Sequence, residues 1–183
     1  MRWNALFADL ESQLAATRGL SADSDIAERL RADIAGLQLT DRLRSQIGRS
    51  LRFDTGAPGY FDGVLGHVGR GWVALESGPR SVLVALEHAV SVQGMDRYSA
   101  VDKPIVSLGF ASALRALSRD RAIVRVFPAG RPPGSALEGS IDRVGSDFFE
   151  LAAVPAGESR RAANVSGVYA LTLGSTAAVT SVR

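Results

Sequence analysis

The chain has 183 residues, 46% of them hydrophobic, which is enough to bury the core of one domain or of two small ones. Its formal net charge is only +2, so no strong overall field predicts nucleic acid or a membrane surface as a partner. It has no cysteine, which excludes disulfides, thiolate nucleophiles and zinc sites built on sulfur.

The N-terminal region predicts a helical arm of about three segments. Apolar residues recur at intervals of three and four on the first segment, which Gly19 ends. This stripe either packs on the rest of the chain or is offered to another chain. We expect self-association or a protein partner, and the candidate partner-binding residues are Trp3, Phe7, Leu10 and Leu14.

From Ser50 onward, β-branched residues and glycines predict short strands that are separated by turns. The first five runs are "SLRF", "DGVLGHV", "GWVALE", "SVLVAL" and "VSVQ". A linker and a short helix follow. A second set of runs then comprises "IVRVF", "EGSIDRV", "DFFELA", "NVSGVYALTL" and "AVTSV".

One pattern occurs in both sets, in "DGVLGHVGRGWVAL" and again in "EGSIDRVGSDFFEL". Gly69 and Gly145 match where the chain reverses, and we expect a positive φ at both because glycine adopts it at little cost. Trp72 and Phe148 also match, and we expect each to be a buried anchor. An internal repeat of this kind predicts two structural units.

The order of elements resembles the Sm-like fold, the small SH3-like β-barrel of the Sm proteins and of bacterial Hfq. Gly63 and Gly139 stand where that family has its strand-2 glycine. The chain is also similar to proteins of high-GC bacteria that share its "MRW…LFADLE" start and tandem barrels, and to which no settled activity is attached.

The resemblance implies an α+β fold in which an N-terminal helical arm precedes two SH3-like, Sm-like five-stranded β-barrels, each preceded by a short helix. The implied domains are the helical arm at 1–39, a first barrel at 40–95, a linker at 96–106 and a second barrel at 107–183.

The RNA pocket of that family does not carry over to this sequence. The family places an Asp just after strand 2, where this chain has Gly69 and Gly145. Its arginine–glycine signature is also absent, since "AVSVQG" ends in Gln93 and Gly94. The resemblance therefore implies a fold and leaves the function open.

Catalytic and metal-binding patterns are not found in the sequence. His67 and His88 are the two histidines, and neither has patterned carboxylates near it. No nucleophile elbow, P-loop or dinucleotide fingerprint occurs. We expect no enzyme activity, no metal, no cofactor and no small-molecule substrate.

Arginines are concentrated in "LRALSRDRAIVRV" and in "ESRRA". Guanidinium groups fork onto phosphate oxygens, so these segments could form an edge that contacts RNA. Alternatively, Arg119 and Arg121 lie at a helix C-terminus, where a cation favours the macrodipole, and "ESRRA" is a solubilising loop. The candidate RNA-binding residues are Arg115, Arg119, Arg121, Arg125, Arg160 and Arg161.

The uncharged run from Ala162 to Val182 mixes apolar and small polar residues, and we read it as two strands and a turn instead of a membrane span. We expect a cytoplasmic, non-enzymatic binding or scaffold protein that assembles through its helical arm or its barrel edges. The alternative is an RNA-binding protein that uses the arginine-rich edge of the second barrel.

Overall fold

The structure, a computed structural model, describes residues 35–96, 108–154 and 166–182. The predicted apolar stripe of the arm and the arginines of "ESRRA" lie outside the described residues. Contacts divide the chain into a unit Met1–Gln38 and a unit Leu39–Arg183. The second unit contains every strand that the structure describes.

The described part of the second unit has two α-helices and ten strands. The helices are α1 (Leu39–Arg44) and α2 (Phe110–Arg119). The strands of the first half are β1 (Ser50–Asp54), β2 (Tyr60–Val68), β3 (Trp72–Ser77), β4 (Arg80–Ala85) and β5 (Ser91–Gln93). Those of the second half are β6 (Ile123–Pro128), β7 (Leu137–Val144), β8 (Phe148–Ala153), β9 (Gly167–Thr172) and β10 (Thr176–Ser181).

All ten strands belong to one antiparallel sheet in the order β5-β1-β2-β3-β4-β10-β6-β7-β8-β9. The prediction of two five-stranded barrels in an α+β fold is therefore wrong: the protein is mainly β, and its sheet is continuous and not closed. The physical reason lies at β4, whose second edge is paired by β10, the last strand of the other half. This pairing satisfies backbone groups that an edge strand would leave open.

The sequence repeat is also a repeat of register. Leu65 pairs with Leu75 on β2 and β3, and Ile141 pairs with Leu151 on β7 and β8. A bulge follows directly in both pairs of strands. Each half therefore contains the same arrangement of five strands, although the two are not separate barrels.

The core consists of two apolar clusters, and β10 contributes to both. The first cluster surrounds Phe53 and Leu65 and includes Ala178. The second surrounds Phe149 and Leu114 and includes Val179. Because Ala178 and Val179 are adjacent on a strand, they point to opposite faces of the sheet, so β10 packs against both halves at once.

The matching glycines have a different role from the one predicted. Neither Gly69 nor Gly145 has a positive φ, so that prediction is wrong; the left-handed residue of the first turn is Gly71, with φ 78°. A Cβ on Gly69 would overlap the indole of Trp72, and one on Gly145 would lie 2.5 Å from the ring of Phe148. These positions require glycine because an aromatic ring folds back over the backbone.

The two aromatic residues are not equally buried. Trp72 is 5% exposed, as predicted, whereas Phe148 is 37% exposed, so the prediction of two buried anchors is wrong for the second half. The two sites also differ in hydrogen bonding: Trp72 Nε1 donates to the carbonyl oxygen of Leu108 at 2.8 Å, whereas a phenylalanine side chain has no such donor.

Candidate functional site: the edges of the sheet

The junction between β4 and β10 shows how one half of the sheet binds the other. Val84 pairs with Ala178, Leu83 with Val179, and Val82 with Thr180. Two further contacts extend the pairing: the backbone N–H of Ser81 donates to Ser181 Oγ at 2.9 Å, and His88 Nε2 lies 3.0 Å from the carbonyl oxygen of Gly174. The junction thus combines a ladder of backbone bonds with buried side chains on both faces.

In the second half of the sheet, the strand that corresponds to β4 is β9. Trp72 pairs with Ala85 across β3 and β4, and Phe148 pairs with Thr172 across β8 and β9. Val82 and Tyr169 are therefore equivalent positions, three residues before these partners. Val82 is 5% exposed, whereas Tyr169 is 46% exposed and its neighbour Val168 is 61% exposed.

In the first half of the sheet, the strand that corresponds to β10 is β5. Val179 pairs with Val126 on β6, and Val92 pairs with Phe53 on β1. Since β10 has a strand on each side and β5 pairs with β1, the described sheet ends at β5 on one side and at β9 on the other. These two ends are the counterparts of the two strands that meet in the junction.

Neither end strand of the described sheet carries a charge, a proline or a bulge, although β5 is only three residues long, which itself limits edge pairing. Natural edges usually carry lysine, other charges, proline or a bulge. The residues of β9 are "GVYALT" and those of β5 are "SVQ", with no charge and no proline. An uncharged edge with exposed apolar side chains is a surface on which another strand can add.

An open groove of about 400 Å³ lies beside β5, and its lining residues are Ser50, Leu51, Arg52, Asp62, Gln93 and Gly94. Arg52 Nε is 2.5 Å from Asp62 Oδ1, and this hydrogen bond raises the pKa of Arg52 above its ordinary value. The arginine is therefore a permanent cation, and its charge is balanced within the groove.

That ion pair is repeated in the second half, where Arg125 Nη2 is 2.8 Å from Glu138 Oε2. Arg52 faces Asp62 across β1 and β2, and Arg125 faces Glu138 across β6 and β7. Arg125, a candidate RNA-binding residue, is thus the structural counterpart of Arg52. Each of the two arginines balances the charge of a carboxylate in its own half.

The other described arginines of the predicted RNA edge lie on α2 or just after it. Arg115 donates from Nη2 to the carbonyl oxygen of Gly145 at 2.8 Å. Arg119 is in the last turn of α2, as the capping interpretation predicts, and Arg121 follows with φ 49°. Arg125 is on β6, so the four do not share one element. RNA binding by these residues and by Arg160 and Arg161 stays a prediction.

The histidines of the described chain take part in local packing. His67 lies with its ring centre 5.2 Å from that of Trp72, and His88 reaches the carbonyl oxygen of Gly174. Within the described ranges, no group of three His, Asp or Glu side chains is placed to hold a metal ion. No helix in the same ranges is long and apolar enough to cross a membrane.

Sequence reasoning missed the two ends of the sheet, although a signal was present. The uncharged "GVYALT" has the same position after β8 that "RSVLVA" has after β3. An alignment of the later strands of the repeat would have matched these two strands, but only the structure shows that one of them is paired on both sides. The predicted partner-binding stripe of the arm, Trp3 to Leu14, is not among the described residues.

Comparison with protein-family models, with curated proteins and with solved structures finds no match for this chain. Its function is therefore inferred from the geometry of the sheet edges.

Proposed function

We propose that the protein is a non-enzymatic, cytoplasmic scaffold whose copies associate head to tail through the edges of the sheet. The β9 edge of one copy adds to the β5 edge of the next, as β4 adds to β10 within the chain. The observation that supports this is the β4–β10 junction, since its two counterparts are the ends of the described sheet.

The internal junction also gives the register of the proposed contact. Transferring its pairs to the equivalent positions places Leu171 opposite Ser91, Ala170 opposite Val92 and Tyr169 opposite Gln93 of the neighbouring copy. Pairing in this register would cover the exposed faces of Val168 and Tyr169.

The contact joins two different surfaces, so each added copy presents a fresh edge. A head-to-tail contact of this type closes into a ring or continues as a chain, depending on the rotation between copies. The backbone N–H and C=O groups of both edges are then paired at every contact between copies. In an open chain of copies, only the two terminal edges remain unpaired. The product is a scaffold in which each copy contributes one predicted helical arm, so that many arms are present on one assembly.

RNA binding is not advanced as a second function. Arg115 is bonded to the carbonyl of Gly145 and Arg125 to Glu138, so a phosphate would have to displace contacts that already exist. Each phosphate contact contributes to the salt dependence of nucleic-acid binding. A nuclease-sensitive, salt-sensitive mass for the purified protein would favour RNA binding over the scaffold.

The absence of cysteine allows an unambiguous test by engineered disulfides. Paired residues of antiparallel strands have Cα separations that a disulfide can bridge. We expect the double variant Ala170→Cys/Val92→Cys to form covalent dimers and higher multimers under mild oxidation. The matched control is Leu83→Cys/Val179→Cys, the equivalent pair inside the chain, which should link without a change in mass.

The same samples are compared by sedimentation velocity over a range of protein concentrations, with and without nuclease. The scaffold proposal requires a mass above that of the monomer that is resistant to nuclease. A monomer at all concentrations, together with no intermolecular disulfide from Ala170→Cys/Val92→Cys while the control pair oxidises, would refute it.

A further inference from the structure

The residues that precede α2 are bound to the turn between β2 and β3. The carbonyl oxygen of Leu108 accepts two hydrogen bonds at 2.8 Å, from the backbone N–H of Arg70 and from Trp72 Nε1. Gly109 forms a parallel bridge with Arg70. This short segment is thus bonded to the indole of Trp72 and to the turn, so the first-half turn holds the start of the second half.

The second half has the same turn between β7 and β8. The N–H of Gly69 donates to the carbonyl of Trp72 at 2.9 Å, and that of Gly145 donates to the carbonyl of Phe148 at 2.8 Å. Ser146 therefore corresponds to Arg70 and Phe148 to Trp72. Phe148 is exposed where Trp72 is buried, and among the described residues no chain segment is bonded to Ser146 as Leu108 is bonded to Arg70.

The segment that would fit this turn can be identified from the position of the helices. Leu108 and Gly109 immediately precede α2, which begins at Phe110, and Leu37 and Gln38 immediately precede α1, which begins at Leu39. In the head-to-tail assembly, the first half of the next copy stands next to β9 as the second half stands next to β4. Its α1 therefore corresponds to α2.

We propose that the turn at Ser146–Phe148 is a docking surface for Leu37 and Gln38 of the neighbouring copy. The backbone N–H of Ser146 would donate to the carbonyl oxygen of Leu37, as Arg70 donates to Leu108. The side chain of Phe148 has no N–H donor, so this contact has one hydrogen bond fewer than its internal counterpart. The inference rests on the proposed edge pairing and adds a second contact with the same partner.

A second disulfide pair separates this inference from the edge pairing. Ser146→Cys/Gln38→Cys is oxidised beside Ala170→Cys/Val92→Cys, and both are expected to give intermolecular links. The matched internal control is Arg70→Cys/Gly109→Cys, which should link within the chain; a Cβ on Gly109 has ordinary van der Waals room.

The outcomes are distinct. If Ala170→Cys/Val92→Cys gives multimers and Ser146→Cys/Gln38→Cys gives none, the docking inference is overturned while the edge pairing stands. If neither gives multimers, the edge pairing fails as well. If Ser146→Cys/Gln38→Cys links only within one chain, the turn binds its own segment and the docking inference is again overturned.

A non-covalent test uses Phe148→Trp, which restores the indole donor that the first half has. One added hydrogen bond should tighten association by roughly two- to tenfold, measured as the dissociation constant by sedimentation equilibrium. The control is His67→Trp, which adds a tryptophan at an exposed position near the end of β2 and should leave that constant unchanged. An equal effect of both variants, or no effect of Phe148→Trp, would count against the docking surface.

Discussion

Strands β4 and β9 have equivalent positions in the two halves, but β4 lies in the middle of the sheet and β9 at its end. Val82 on β4 is buried while its counterpart Tyr169 is half-exposed. Local sequence makes each a strand, whereas burial depends on whether a further strand is present. The comparison shows that equivalent strands of an internal repeat differ in exposure when, within the described sheet, only one of them is paired on both sides.

The largest expected difference between these strands concerns a charge at the equivalent positions. Val82→Lys places an ammonium group in the first apolar cluster without a partner, and we expect a loss of about 3–5 kcal/mol in the free energy of unfolding. Tyr169→Lys should change that free energy by less than about 1 kcal/mol, because its side chain can remain in water.

Urea denaturation of both variants, at a concentration where the protein is monomeric, measures these effects. Tyr169→Lys should in addition weaken association, because a lysine on an edge strand opposes pairing. If Tyr169→Lys is as destabilising as Val82→Lys in the monomer, β9 is covered within its own chain, and the comparison between the two strands fails.

The turns before β3 and β8 also differ in burial, since the aromatic residue is buried in the first turn and exposed in the second. Replacing the matching glycine of each turn with alanine should show this difference as a difference in stability. Gly69→Ala forces the indole of Trp72 away from the backbone while Leu108 holds it, so we expect a loss of about 1–3 kcal/mol. Gly145→Ala should cost less than about 1 kcal/mol, since the ring of Phe148 is exposed and can rotate.

Thermal and urea unfolding of the two alanine variants gives the comparison directly. Equal losses would mean that Phe148 is held as firmly as Trp72. A third variant, Gly71→Ala, separates steric overlap from backbone strain. Gly71 has a φ of 78° and open space around its Cβ, so its loss of stability reports backbone strain alone, whereas that of Gly69→Ala reports overlap with Trp72.

The sequence predicted the local part of this architecture well. The strand runs follow from the short-range spacing of glycines and apolar residues. The matched register of β2–β3 and β7–β8 was not predicted and comes from the structure. It did not predict the β4–β10 junction, because "SVLVAL" contains nothing that specifies which distant strand covers its second edge. It also missed the exposure of Phe148 and the hydrogen bond from Trp72 to the carbonyl oxygen of Leu108, which is 36 residues away in the chain.

The candidate site was predicted only in outline. Assembly through edges was expected, but of barrels that do not exist, and the edge strands were not identified. The arginine edge was chosen from charge density alone, which does not show that Arg125 would face Glu138. Pairing across strands is set by register, and register depends on the whole sheet.

A smaller effect is expected when the indole of Trp72 is replaced. Trp72→Phe makes the first turn like the second and removes the hydrogen bond to Leu108, for a loss of about 0.5–1.5 kcal/mol. The carbonyl of Leu108 keeps its bond from Arg70, so no acceptor is left without a partner. The measurement is urea denaturation, and faster amide exchange at Arg70 is the expected local sign. A loss of 3 kcal/mol or more would mean that the indole contributes mainly by packing.

The smallest expected effect compares the residues that lie two positions before β1 and β6. Gly48 has φ 88° and Arg121 has φ 49°, so both adopt the left-handed conformation, although only one is glycine. That conformation costs a residue with a side chain about 1–2 kcal/mol, and glycine gives back about 0.5–1 kcal/mol through its entropy in the unfolded chain. Arg121→Gly should therefore raise the free energy of unfolding by about 0.5–1 kcal/mol, and Gly48→Arg should lower it by a similar amount. A Cβ at Gly48 meets nothing within 4 Å, so its change measures conformation and not overlap. If Arg121→Gly instead destabilises the protein, the guanidinium of Arg121 makes a contact that outweighs the strain, and the second half depends on that arginine in a way that the first half does not depend on Gly48.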